Sequence, residues 1–97
     1  MMEKKIVQLL KTYSLDDCEI ADMLEIAPML EYVSYEDFMK NCLLLVQYGF
    51  PKSDLDVLFM LNPNIFAMSQ RDLENKLKKL EKSGENIEET LKRSEII

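Results

Sequence analysis

No histidine and no tryptophan occur among the 97 residues, and there are only two glycines, three prolines and two cysteines. Without imidazole there is no Cys–His or Ser–His couple and no histidine-based metal centre. Gly49 and Gly84 stand alone, so no glycine-rich loop can cradle a phosphate. Asp16, Asp17, Glu19 and Asp22 lack the glycine turn and ligand spacing of a calcium loop, and at helical spacing such a run reads as a solvated face. An enzyme, a cofactor and a metal are all unexpected. Cys18 and Cys42 fall at apolar helical positions with no C-x-x-C, which reads as two buried, reduced thiols in a reducing compartment. No apolar run approaches the roughly 18 residues that cross a membrane. The opening MMEKKIVQLLKTYS is too briefly apolar for a signal peptide and has no arginine for a transit peptide, so a soluble cytoplasmic chain without membrane contact is expected.

Positive charge is also in short supply, twelve bases against eighteen acids giving a net charge of −6. The deficit is uneven. Residues 1–70 hold eleven acids and five bases, while residues 71–97 hold seven of each, so any nucleic-acid footprint must lie in the last third. An apolar share of 47% with 31% charged is a globular balance rather than a disordered one. Leu, Met, Lys and Glu are plentiful beside few β-branched residues, and helix is the expected state throughout.

The strongest signal is internal. Shifted by 35 residues, the chain pairs Pro28 with Pro63, Ser34 with Ser69, Asp37 with Asp72, Leu45 with Leu80 and Gly49 with Gly84. The same shift pairs Tyr13 with Tyr48, Ile20 with Leu55, Met23 with Leu58 and Ile26 with Leu61. A fixed period in this range marks a helical repeat. The expected fold is all-α: one domain, a solenoid-like stack of five to six short helices. It divides into a partial unit 1–27, a full unit 28–62 and a unit 63–97, about two and a half units.

Taken in order, a first helix is expected over Glu3–Tyr13 with Ile6, Val7 and Leu10 as its apolar stripe. Ser14 ends it and, with Asp17, makes an S-x-x-D start for the second helix, which runs to about Ile26 with Ile20, Met23 and Leu24 inward. Pro28 stops it, leaving room for one tight turn before Ser34 and Asp37 start the third helix. That helix, with Phe38 and the run Cys42–Val46, is apolar on nearly every side, as a helix covered before and behind should be. Gly49 ends it; Pro51 at a first helical position opens the fourth, with Leu55, Leu58, Phe59 and Leu61 inward. Pro63 breaks the chain a second time, Ser69 and Asp72 cap a fifth helix carrying Leu73, Leu77 and Leu80, and Gly84 closes it. Asn86 and Glu89 start a last helix with Ile87 and Leu91 inward, and the KRSEII that follows Leu91 is weakly patterned.

This proline-to-glycine register resembles the repeat of the mitochondrial transcription termination factor (mTERF) family. Its units carry a proline, then leucine-like residues at intervals of seven, and a closing Leu-Gly-like step. Here Pro63 is followed by Phe66, Leu73, Leu80 and Gly84, and Pro28 by Glu31, Phe38, Leu45 and Gly49, with Glu31 standing where the pattern has an apolar residue. The likeness spans about residues 13–91. It implies units of two α-helices and a short tight helix, stacked into a left-handed curved solenoid. It also implies nucleic-acid binding, which members of that family perform through many basic side chains.

Two candidate surfaces follow. The basic one comprises Arg71, Lys76, Lys78, Lys79 and Lys82, with Lys92 and Arg93 beyond, and Glu74 and Glu81 are spaced to pair with Lys78 and Lys82 or their neighbours. The other is Met29, Tyr32, Tyr35, Met39 and Met68, thioethers and phenols near the turns that suit an adaptable protein contact. A stack this short also leaves apolar ends that a protein partner or a second copy would cover. The acid surplus of residues 1–70 ranks protein contact or self-association first and nucleic acid second.

Overall fold

A computed structural model describes residues 2–93. These residues form six α-helices: α1 (Lys4–Thr12), α2 (Asp17–Ile26), α3 (Tyr35–Gln47), α4 (Leu55–Leu61), α5 (Gln70–Lys82) and α6 (Ile87–Lys92). Three 3-10 turns, at Pro28–Tyr32, Lys52–Asp54 and Pro63–Ala67, join them, and no strand occurs among the described residues. The helices form two rows, α1 on α3 on α5 and α2 on α4 on α6, and the two proline turns pack on each other beside them.

Each odd-numbered helix closes in the same way. The N–H groups of Leu15, Phe50 and Glu85 reach back to the carbonyls of Leu10, Leu45 and Leu80 at 3.2, 3.0 and 3.2 Å. Those of Ser14, Gly49 and Gly84 reach the carbonyls of Lys11, Val46 and Glu81 at 2.9, 3.0 and 3.2 Å. This double closure needs a left-handed residue at its corner, and the three corners have φ of +69°, +96° and +75°. Ser14 thus ends α1, as expected, but does not start α2. The second helix begins two residues later than expected, where Asp16 accepts the Glu19 N–H at 2.8 Å and Glu19 accepts the Asp16 N–H at 3.0 Å, a reciprocal capping box.

The prolines act alike. Each drives the preceding residue out of the helical region, Ala27 to φ −128°, ψ 74° and Asn62 to φ −146°, ψ 57°. A 3-10 turn follows each, and an extended residue then leads into a serine whose hydroxyl accepts the N–H three residues on: Ser34 from Asp37 at 3.1 Å, Ser69 from Asp72 at 3.2 Å. Pro51 behaves otherwise. It lies ahead of the 3-10 turn Lys52–Asp54, and α4 starts only at Leu55, because position 51 offers no side chain that could cap a helix as Asp16 and Asn86 do at the equivalent places.

The core runs through all three layers. Phe38, Phe59 and Phe66, from α3, α4 and the second proline turn, are wholly buried with ring centroids 4.9–5.8 Å apart, and Tyr13 meets Phe59 edge-on at 5.4 Å. Leu45 and Leu80 are both buried. Two expectations fail at the edges: Leu43 on α3 is 57% exposed and Leu61 on α4 is 49% exposed. Each lies on the outer side of its row, which stacking before and behind does not cover.

Two asparagines enter this core. The Asn41 amide donates to the Met68, Ile65 and Phe66 carbonyls at 2.8, 3.3 and 3.5 Å, satisfying the open end of the second proline turn from α3. Its Oδ1 is buried without a partner. Asn62 donates to the Leu91 carbonyl at 3.4 Å and ties the turn to α6.

Ser14→Gly relieves the only non-glycine positive φ among the described residues and is expected to stabilise the fold by about 0.5–1 kcal/mol in urea unfolding. Asn41→Leu strands the Met68 carbonyl and is expected to cost about 1–3 kcal/mol in the same assay.

Candidate functional site

Between the two proline turns opens a cleft of about 380 Å3. Val33 and Met68, which stand just past each turn and 35 residues apart, both line it, as do the turns' own Tyr32 and Ala67. Met29 and Tyr32 stand in it 63% and 79% exposed, and Asp37, Ser69 and Gln70 supply a polar rim. The Ser69 hydroxyl is already engaged by the Asp72 N–H. A thioether pair, a phenol and small aliphatic groups beside one carboxylate offer no acid–base couple for catalysis. They offer a seat for an apolar side chain with a polar or cationic neighbour.

Of the five residues expected on a protein-binding surface, Met29, Tyr32 and Met68 come together here. Tyr35 and Met39 do not. Tyr35 is the first residue of α3, and the helix turns it toward α1: its N–H donates to the Glu3 carboxylate and the Lys5 ammonium lies 5.9 Å from its ring. Met39, a turn further on, lines a separate groove of about 330 Å3 with Leu9, Tyr13 and Leu43. Closeness in sequence puts residues on different faces when the chain between them is helical. Val33, Ala67, Asp37 and Gln70 were not foreseen, although the 35-residue pairing of Val33 with Met68 and Tyr32 with Ala67 held the clue.

The basic set divides. Arg71, Lys78, Lys79 and Lys82 are exposed on α5, and among the described residues they form no ion pair, so the expected pairing of Lys78 and Lys82 with Glu74 and Glu81 is not made. Lys76 is half-buried. On α6, the Lys92 ammonium donates to Glu88 at 2.8 Å and to Asp54 at 3.2 Å, hydrogen bonds that raise its pKa and clasp α6 to the start of α4. Arg93 donates to the Thr90 hydroxyl at 3.5 Å.

The cysteines also part company. Cys42 lies buried at the edge of the Met39 groove, where burial pushes its thiol from 9.0 up to about 12 against a small opposing backbone hydrogen bond. Nearby Tyr13 is raised by burial, then by Cys42 and Asp56. Cys18 is exposed, not buried, because α2 turns Ile20 and Met23 inward and leaves position 18 outside. Among the described residues no Cys, Asp and Glu are grouped to hold a metal ion, and no helix is long and apolar enough to cross a membrane. Compared with protein-family models, curated proteins and solved structures, the chain matches none.

Because the folded Cys42 thiol titrates far above its unfolded value, both states hold the proton below pH 9, and above it the unfolded chain alone loses it. Stability is expected to fall from pH 9 towards 12 by about 1.4 kcal/mol per pH unit from this group. Unfolding curves of the wild type and Cys42→Val across that range isolate the slope, which the variant lacks.

Proposed function

We propose that the chain is a non-enzymatic binding module of the mTERF-like helical-repeat type, a short solenoid-like stack that acts by contact with a protein partner or a second copy. The observation that carries this reading is the cleft between the proline turns, which gathers the exposed Met29 and Tyr32 beside the half-buried Met68 on a frame fixed by duplicated caps and turns. Large apolar side chains held outside by rigid backbone are the usual anchors of peptide contact. The absence of histidine and of any coupled pair in the cleft supports binding over catalysis.

A second reading, nucleic-acid binding, is favoured by Arg71, Lys78, Lys79 and Lys82 of α5, which form no ion pair among the described residues. Against it stands the acidity of residues 1–70, eleven acids to five bases, and the withdrawal of Lys92 into its own carboxylate pair. Three to five phosphate contacts, roughly what these side chains could make, would give weak and salt-sensitive binding.

The two readings separate in one set of titrations. Peptides selected from a random display library on the wild-type chain are expected to lose at least about fivefold in affinity on Tyr32→Ala, with an unchanged melting curve. Labelled duplex and single-stranded nucleic acid are titrated beside them at low and moderate salt. Submicromolar nucleic-acid binding abolished by Lys78→Glu with Lys82→Glu would replace the first reading with the second.

A further inference from the structure

The groove that holds Met39 lies where α1 docks on α3 and the start of α4. Met39 and Cys42 of α3, with Lys52 and Leu55 around the start of α4, form one wall, and Leu9 of α1 with Tyr13 just past it forms the other. Tyr13 packs edge-on against Phe59, and its hydroxyl reaches the Lys52 carbonyl at 3.5 Å. The groove is the seat by which one pair of helices receives the helix before it, and what it receives is a leucine and an aromatic residue one helical turn apart.

Thirty-five residues earlier the same seat recurs. The equivalents of Met39, Cys42, Lys52 and Leu55 are Lys4, Val7, Asp17 and Ile20, and all four line a cavity of about 590 Å3 on the outer side of α1 and α2, with Met2 and Leu24 beside them. Among the described residues nothing sits there in the way that α1 sits on α3.

The other end of the stack is built differently. Where α1 offers Leu9 and Tyr13, and α3 offers Leu44 and Tyr48, α5 carries Lys79 and Ser83, both exposed. A polar outer face is what finishes a repeat stack. Head-to-tail growth would press the Lys79 ammonium into the apolar seat, so this end does not supply the missing occupant.

Charge names it instead. Within α1 stand Lys4, Lys5 and Lys11 and no acid; within α2 stand Asp17, Glu19, Asp22 and Glu25 and no base. The Lys11–Asp17 pair at 3.2 Å already joins the two helices inside the chain. A two-fold axis across the seat lays the basic α1 of one copy along the acidic α2 of the other, twice over, and brings Val7 and Leu24 of both copies out of water. We infer that the chain forms a closed, two-fold dimer through the α1–α2 face, with Lys4 and Asp17 pairing between copies. This deepens the binding-module reading and rests on it, since it names the partner for one surface of that module. An isologous contact of this kind closes on itself and does not grow.

Sedimentation velocity of the full chain, from low micromolar to submillimolar concentration, tests it. The expected result is a monomer–dimer equilibrium whose dissociation constant rises at least about tenfold on Leu24→Lys and on Lys4→Glu, while Leu43→Lys, on the exposed rim of the Met39 groove, leaves it unchanged. Lys4→Glu is exposed and keeps the test valid if Leu24→Lys fails to fold, and combining Lys4→Glu with Asp17→Lys is expected to recover association. A monomer at every concentration, masses climbing past the dimer, or association lost on Leu43→Lys but not on Leu24→Lys or Lys4→Glu would overturn the proposal. Loss of the dimer with peptide binding at Tyr32 intact sinks this inference alone, whereas loss of both sinks the binding-module reading with it.

Discussion

Phe38, Phe59 and Phe66 meet where the two helix rows and the row of turns converge, and the middle of the molecule depends on that meeting. Each ring comes from a different layer, so no layer can shift without opening a void beside a fully buried aromatic side chain. Replacing such a side chain by alanine commonly costs about 3–5 kcal/mol. The chain reversals make the meeting possible. They must return each helix at a set angle, and they do so through three glycine-type corners and two proline breaks that reproduce one another's backbone geometry closely.

On this duplicated backbone the side chains have diverged, and the divergence distributes the chemistry. Position 41 is an asparagine that seals the end of a turn, whereas its counterparts are Ile6 in the core and the half-buried Lys76. Leucine at positions 9 and 44 becomes lysine at 79, converting a stacking face into a solvated end. Alanine at position 27 becomes Asn62, which gains a hold on α6 that α4 lacks on its own predecessor's turn. Backbone repetition sets where surfaces lie, and local substitution sets whether each is apolar, acidic or basic.

Much of the fold was legible in the linear chain because its determinants are local. A proline removes a donor and restricts its neighbour wherever it stands, a serine three residues before an aspartate caps the same N–H, and glycine relieves the same corner. Ser14 shows the limit of that reading. Its hydroxyl suited a helix start, yet the closure of α1 claimed its backbone first, and Asp16 took the cap. Leu43 and Leu61 fell short for a second reason: whether an apolar residue is inside depends on which neighbour arrives, and a helix stripe does not say how wide its cover will be.

The candidate cleft divides along the same line. Sequence determined by itself the period, the breaks, the helical class and the fact that methionine and tyrosine crowd the turns, since each of these is a property of a residue and its near neighbours in the chain. Only the tertiary structure decided that Met29, Tyr32 and Met68 share one opening while Tyr35 faces α1 and Met39 another groove, that Lys92 spends its charge on Asp54, and that the face of α1 and α2 is left uncovered. Those outcomes turn on contacts between residues up to 39 apart, where the rotation of each helix about its axis, fixed by packing, selects which side chains meet.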